Sequence, residues 1–318
     1  MKLATFTLNG GSAKLGIVDT GRDLITDVTG ALPRDADFAS MQALIEAGPA
    51  ALERLRTFDA AGETAHQHPF GDIRLLAPVP RPIQMRDGMT FPLHIRQGLR
   101  GLQALGAANE EESRRILASD LPPLPEIYTK TPVWYFTNHL CVSGPGTEIT
   151  WPAFSQRRDF ELELGVFTWQ TAADIPVEKA ADHIFGYTIF NDFSARDRQS
   201  VEMPGMLGPG KGKSFDKSNI IGPWIVTPDE IGDPYALKTQ AIVDGESWAA
   251  GDTSGMLYSF EELIAYLSQS ETIHAGEFIG SGTVENGCGL EMNRYLDKGA
   301  KIRLEIERIG ALECSIAP

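Results

Sequence analysis

Between residues 157 and 167 the chain reads RRDFELELGVF, with Asp159, Glu161 and Glu163 alternating with Phe160, Leu162 and Leu164. Successive residues of a strand face opposite sides, so the three carboxylates would share one face. Such a row is either a solvated sheet face, common in antiparallel sheets, or a place where a cation screens the repulsion. GYTIFNDFSARDRQS (186–200) runs from an apolar strand into Asp192, Arg196, Asp197 and Gln199. Asp192 at such a strand end either caps a turn or adds a ligand. Two glutamates and an aspartate are hard oxygen donors that suit Mg²⁺, Mn²⁺ or Ca²⁺ rather than zinc.

Three further fragments carry reactive side chains. MRDGMTFPLHIRQG (85–98) sets Asp87 seven residues before His94, which opens an amphipathic helix and is there either a packing residue or a base. PGMLGPGKGKSFDKSN (204–219) invites a phosphate-loop reading that fails. Leu207 stands where GxxxxGK[ST] needs glycine, and Lys211 in the other frame is followed by Gly212. Lys213 is then either a candidate electrophile or a solvated loop lysine. GEFIGSGTVENGCGLEM (276–292) places Thr283 and Glu291 in a glycine-rich hairpin, where turn chemistry is the plain alternative. His66 and His68 lie in a polar loop and read as unremarkable.

The elements that must position these residues are mostly strands. LELGVF, GYTIFND, IGPWIVT, KTQAIVD, EFIGSGTV and KIRLEIERIG are short runs bounded by Gly, Pro or Asp. Without regular helices between them they argue against a doubly wound parallel sheet. Helical spacing is confined chiefly to 38–56, interrupted near Gly48 and Pro49, and to 94–105 and 259–269. The opening LATFTLNGGSAKLGIVD predicts a hairpin around an Asn-Gly turn. A proline-rich connector after residue 73 places the boundary between a small N-terminal β-rich domain, 1–72, and a larger one, 73–318.

Composition sets outer limits. The 318 residues with 42% hydrophobic content suffice for a large core. A formal net charge of −15 argues against nucleic acid as a partner. Cys141, Cys288 and Cys314 are odd in number and widely spaced, which fits a reducing compartment. No run is long and apolar enough to span a bilayer. A cytoplasmic protein without membrane contacts is the expectation.

The fragments, taken in order, resemble the fumarylacetoacetate hydrolase family over essentially all of 73–318. The resemblance is carried by DGMTFPLH, DFELELGVF, NDFSARDRQ, GKSFD, GPWIVT, DGESWAAGDTSGMLYSFEELIAYLSQ, GEFIGSGT and GLEM. It implies an α+β, strand-rich fold: a mixed β-sheet roll or sandwich, preceded by a small β-rich N-terminal domain. It also implies a divalent cation, Mg²⁺ foremost with Ca²⁺ or Mn²⁺ as alternatives, held by Asp87, Glu161, Glu163 and Asp192, with Asp159 only a neighbour. His94 is implied as the base and Glu291 as its orienting partner, the arrangement of the fumarylacetoacetases proper. The shorter acylpyruvase type has a glutamate three residues after the histidine, and here that position is Gln97. Lys213, Gln199 and Arg196 are implied as oxyanion donors, and Tyr135 and Thr283 as substrate contacts.

Two substrate-holding tyrosines of the family fall at Met89 and Met203, and the expected arginine falls at Gln103, with Arg100 a helical turn away. These departures predict a substrate whose distal end is uncharged, unless Arg100 supplies the missing charge. The resemblance thus implies a hydrolase cleaving a carbon–carbon bond in a 1,3-diketo acid, whose carbanion leaving group is tolerable only as an enolate near the cation. Decarboxylation or isomerisation of a 2-keto or 2-hydroxydienoate acid is the alternative on the same site. A non-catalytic, metal-stabilised protein is the alternative of another class. A homodimer is the family expectation.

Overall fold

The computed structural model describes residues 1–318. A twelve-stranded mixed sheet runs through its centre. The continuous path consists of β1 (Lys2–Leu8), β2 (Lys14–Asp19), β3 (Leu24–Asp27), β4 (Gln67–Pro69), β5 (Met85–Gly88), β6 (Trp134–Phe136), β7 (Glu161–Thr168), β8 (Ile184–Asp192), β9 (Asn219–Val226) and β10 (Phe278–Cys288). In space the order is β4-β3-β2-β1-β9-β8-β7-β10-β5-β6. Neighbours on this path are antiparallel except β10 and β5, which pair in parallel with Gly280 opposite Asp87.

Every residue of β7 and β8 is buried, so the alternation in FELEL does not mark a wet face. Both sides of the sheet are covered. Leu162, Leu164 and Val166 join a core with Ile302, Leu304, Ile306 and Leu312 of a second, five-stranded sheet. On the opposite side Phe167, Phe185 and Phe278 pack with Met41, Leu44 and Ile45 of helix α1 (Met41–Ala47) and Leu52 and Leu55 of α2 (Pro49–Ala60). Each such aliphatic side chain contributes about 1.5–3 kcal/mol when fully buried. Glu161 and Glu163 share the helix-side face with Phe167, but lie at the strand's other end, where a cavity replaces the core.

The Asn-Gly hairpin forms as expected, with positive φ at Asn9 (49°) and Gly10 (72°). The break near Gly48 divides α1 from α2, and Pro49 sits at the first position of the second helix. The domain boundary after residue 72 does not divide the sheet. Lys2 and Leu3 of β1 pair with Val226 and Ile225 of β9, and residues 73–75 pair back onto β1. The first 72 residues also supply two helices that cover the central strands. No helix is long and apolar enough to cross a membrane.

Helix α3 (Pro92–Leu105) carries His94 across the sheet. It is followed by α4 (Glu110–Leu117) and the short α5 (Ile127–Lys130). Beyond β8 come α6 (Arg196–Glu202) and later α7 (Phe260–Leu267), and the turn α8 (Gly289–Met292) closes β10.

Candidate active site

Asp87 lies near the end of β5, Glu161 and Glu163 begin β7, and Asp192 ends β8, so the adjacent pair β7 and β8, with β5 across β10, delivers four acids to one end of the sheet. Carboxylate oxygens of Asp87, Glu163 and Asp192 lie within 4.8 Å of one another. The Gly282 N–H donates to Asp87 Oδ1 at 3.2 Å and to Glu163 Oε2 at 3.1 Å. The Tyr135 hydroxyl donates to Asp192 Oδ2 at 2.7 Å. Two oxygens in this group, Glu163 Oε1 and Asp192 Oδ1, are buried without a hydrogen-bond partner. Glu161 stands beside the trio. The Lys213 ammonium bridges it to Asp192, and Arg196 Nη2 reaches its other oxygen at 2.7 Å.

The electrostatics separate these carboxylates. Burial, reinforced by the charge of Asp192, pushes Asp87 up to about 7. Burial and the adjacent Asp87 hold Glu163 well above the usual carboxylate range. Burial also raises Asp192, against the pull of Lys213. Glu161 goes the other way: burial opposes its charge, but Arg196 and Lys213 outweigh it and bring the group down to about 2. Crowded acids with unsatisfied buried oxygens are the donor set a hard divalent ion takes. Asp87, Glu163 and Asp192 therefore fit such an ion, with Glu161 at its flank.

On the facing side His94 Nδ1 lies 2.9 Å from Glu291 Oε1. The second oxygen of Glu291 accepts the Cys288 N–H at 3.1 Å, which fixes the carboxylate plane. Both residues are buried, and His94 lines the cavity. With Nδ1 turned to a carboxylate, Nδ1 carries the proton and Nε2 is the basic nitrogen. Gln97 is engaged elsewhere, donating to Asn286 Oδ1 at 2.8 Å.

Arg196, expected as an oxyanion donor, is anchored within the protein. Its Nε donates to Asp159 Oδ2 at 2.7 Å, its Nη1 to Gln199 Oε1 at 2.9 Å and its Nη2 to Glu161, which uses three of its five N–H groups. Gln199, held through its carbonyl, keeps its amide N–H groups free. Asp159 is more than a neighbour. It also accepts the N–H groups of Gly289 at 2.7 Å and Leu290 at 2.9 Å, tying the segment that leads into β7 to the turn that carries Glu291. Burial lifts this carboxyl to about 6 against the pull of Arg196. The clue was in the sequence: an arginine in a buried NDFSARD run needs a carboxylate partner, and Asp159 shares the face of Glu161.

Thr283, Met89 and Met203 line the cavity, which encloses about 230 Å³. Arg100 does not. Its Nη1 donates to the Ser119 carbonyl at 3.1 Å, on the far side of α3. Tyr128 and Gly98 line the cavity as well, and neither stood out in the sequence.

Residues 106–317 match the family model described as fumarylacetoacetate hydrolase, C-terminal. The chain belongs to that family. Asp87, Met89 and His94 precede the matched stretch. A Burkholderia lata protein named as a candidate hydrolase is 36% identical over 192 residues, covering 60% of this chain and 64% of the relative. An oxaloacetate tautomerase of Bacillus subtilis is 36% identical over 199 residues, 62% of this chain and 63% of its own length. Both alignments thus span less than two thirds of the relative. Among solved structures, a fumarylacetoacetate hydrolase from Exiguobacterium antarcticum superposes with a TM-score of 0.72 at 27% identity, over 100% of this chain and 99% of that one. A maleylpyruvate hydrolase from Sphingobium sp. SYK-6, in complex with manganese(II) and pyruvate, gives 0.72 at 23% identity over the same shares.

Proposed function

We propose that this protein is a divalent-cation-dependent hydrolase that cleaves a carbon–carbon bond in a 1,3-diketo acid. The observation that carries the reading is the His94–Glu291 pair, a base with its orienting carboxylate, set in the same cavity as the Asp87, Glu163 and Asp192 cluster. The manganese- and pyruvate-bound maleylpyruvate hydrolase, which shares the fold, supports a small keto acid and a divalent ion. Asp87, Glu163 and Asp192, with Glu161 beside them, would hold the ion. Bound there, it would act as a Lewis acid that polarises a coordinated carbonyl oxygen.

The chain's own residues supply the rest. His94 Nε2 takes a proton from water while the hydroxide adds to the carbonyl carbon. Glu291 keeps the proton on Nδ1 and stabilises the imidazolium. The carbon–carbon bond then breaks, its electron pair delocalises into the neighbouring carbonyl, and the proton on His94 returns to the departing carbon. The Lys213 ammonium and the Gln199 amide offer donors to developing oxyanion charge, each commonly contributing a few kcal/mol. Arg196 positions Glu161, Asp159 and Gln199. Thr283 and Tyr135 line the approach of the substrate.

Likeness to the Bacillus subtilis tautomerase favours a second reading, keto–enol interconversion of a 2-oxo acid, in which His94 moves a proton without adding water. The products separate the two. Incubation with acylpyruvates and Mn²⁺ or Mg²⁺ should release pyruvate, read by a coupled lactate dehydrogenase assay. Enol-to-keto conversion of oxaloacetate with no acylpyruvate cleavage would overturn the hydrolase reading.

A further inference from the structure

Part of the catalytic cavity's wall is apolar, formed by Met89, Ile95, Leu99, Leu102 and Val133. Ile95, Leu99 and Leu102 lie at i, i+4 and i+7 on α3, the helix that carries His94, so they make one stripe. The cations lining the cavity are Lys213 and Arg196, both already bound to the acids. The two arginines of α3 turn away: Arg100 donates to Ser119, and Arg96 Nε donates to the Pro122 carbonyl at 2.8 Å. Tyr128 offers a hydroxyl whose one partner is Met89 Sδ at 3.8 Å. Gly98 interrupts the stripe on the cavity side. A Cβ built on it would fit without a clash, resting at contact distance, 3.9 Å, on the His94 ring and meeting nothing else within 4 Å.

We infer that this apolar wall is a subsite for the uncharged hydrocarbon tail of the diketo acid, and that Gly98, which adds no side chain to it, is the specificity-determining position that gives the tail its room. The inference deepens the proposed function and rests on it for the identity of the head group. A tail carboxylate would have to shed its water with only neutral groups to receive it, which costs far more than a hydrocarbon tail gains or loses. A helix-interior glycine costs about 0.5–1 kcal/mol relative to alanine, so an open space beside the substrate is a reason for keeping it. Neutral Tyr128 suits a tail bearing a hydroxyl or carbonyl.

The test compares three diketo acids with Mn²⁺-supplied enzyme: one with an acetyl tail, one with a hexanoyl tail, and the hexanoyl isostere ending in a carboxylate. The wild type should favour the hexanoyl compound over its carboxylate isostere by about 10²-fold in kcat/KM. Gly98→Leu should lower kcat/KM for the hexanoyl substrate at least tenfold more than for the acetyl substrate, the loss common to both reporting only crowding of the adjacent His94 ring. Equal use of the two long substrates overturns the subsite, and equal loss on the short and long substrates overturns the role of Gly98. Calorimetry with 2-oxooctanoate and its ω-carboxylate, neither of which can be cleaved, reads the same discrimination as a ratio of Kd values. If no diketo acid is cleaved but 2-oxooctanoate binds about 10²-fold more tightly, the hydrolase reading fails and the subsite stands; equal Kd values sink the subsite whatever the reaction.

Discussion

Replacing Glu291 by glutamine tests whether the dyad sets a tautomer or merely fills space. The two oxygens of Glu291 have different partners: Oε1 faces His94 Nδ1 at 2.9 Å and Oε2 accepts the Cys288 N–H at 3.1 Å. A glutamine must keep a carbonyl oxygen toward the Cys288 N–H, since turning its NH₂ there would set donor against donor. Its NH₂ group is then presented to His94 Nδ1, which must accept, and the ring proton moves to Nε2. Nε2 is the nitrogen that has to take a proton from water. Shape and volume are nearly unchanged, so the fold should be too. General-base catalysis contributes typically 10²–10⁴-fold, equivalent to about 2.7–5.5 kcal/mol of barrier at 1.36 kcal/mol per tenfold. Glu291→Gln should therefore lower kcat on an acylpyruvate by about 10²–10⁴-fold with little change in KM or in Mn²⁺ affinity. His94→Ala should lose a similar amount, and the two losses should not add. Retention of more than a third of wild-type kcat in the glutamine variant would refute the tautomer argument.

Other expectations follow from the acids and their supports. The folded pKa of Asp87, about 7, lies above its ordinary 3.8, and Asp159 at about 6 is displaced the same way. The folded state thus binds more protons than the unfolded chain between about pH 4 and pH 7, and stability must fall as pH rises through that window. Protein stripped with EDTA should lose Tm between about pH 5 and pH 7.5, and Mn²⁺ should reverse the loss by replacing the protons; a rising Tm in EDTA would contradict the electrostatic account. A Cβ on Gly280 would come within 2.5 Å of Asp87 Oδ1 and 2.9 Å of Glu163 Oε2, so Gly280→Ala should weaken Mn²⁺ binding at least about tenfold by calorimetry. Unaltered affinity would place the ion elsewhere. Arg196→Ala leaves Asp159 and Glu161 buried without a guanidinium and should cost about 3–5 kcal/mol in urea unfolding. A loss below about 1 kcal/mol would show that the ion pair is not buried in solution.

Much of the site was legible because short motifs carry it. FELEL placed Glu161 and Glu163 on one strand face and IFND placed Asp192 at a strand end, and the sheet brings them together. What alternation left open was exposure. A period of two reports which residues share a face but not what covers it, and here α1 and α2 cover the face that Glu161 and Glu163 share with Phe167. The proline-rich connector suggested a boundary, yet pairing of β1 with β9 is a long-range event that no local composition encodes. Asp159 was dismissed because its partners, Arg196 and the N–H groups of Gly289 and Leu290, come from distant segments. Arg100 stayed ambiguous for a related reason: helical spacing brings it within a turn of the site, but only the chain at Ser119 decides which way it turns. Tyr128 and Gly98 became visible only once a cavity existed for them to line.

The parallel seam between β10 and β5 governs when the protein can acquire its chemistry. Gly282 is 195 positions from Asp87 and 119 from Glu163, and Glu291 is 197 from His94. Contacts that close loops of this length form only after their entropy is offset by the rest of the core, and high contact order slows folding. On a growing chain Asp87, His94, Glu161 and Glu163 are all made long before the strand that aligns them. The growing chain therefore cannot join His94 to Glu291, or Asp87 and Glu163 to the Gly282 N–H, until nearly the last strands have been synthesised. Recovery of activity during refolding should coincide with docking of β10 rather than with the first appearance of secondary structure.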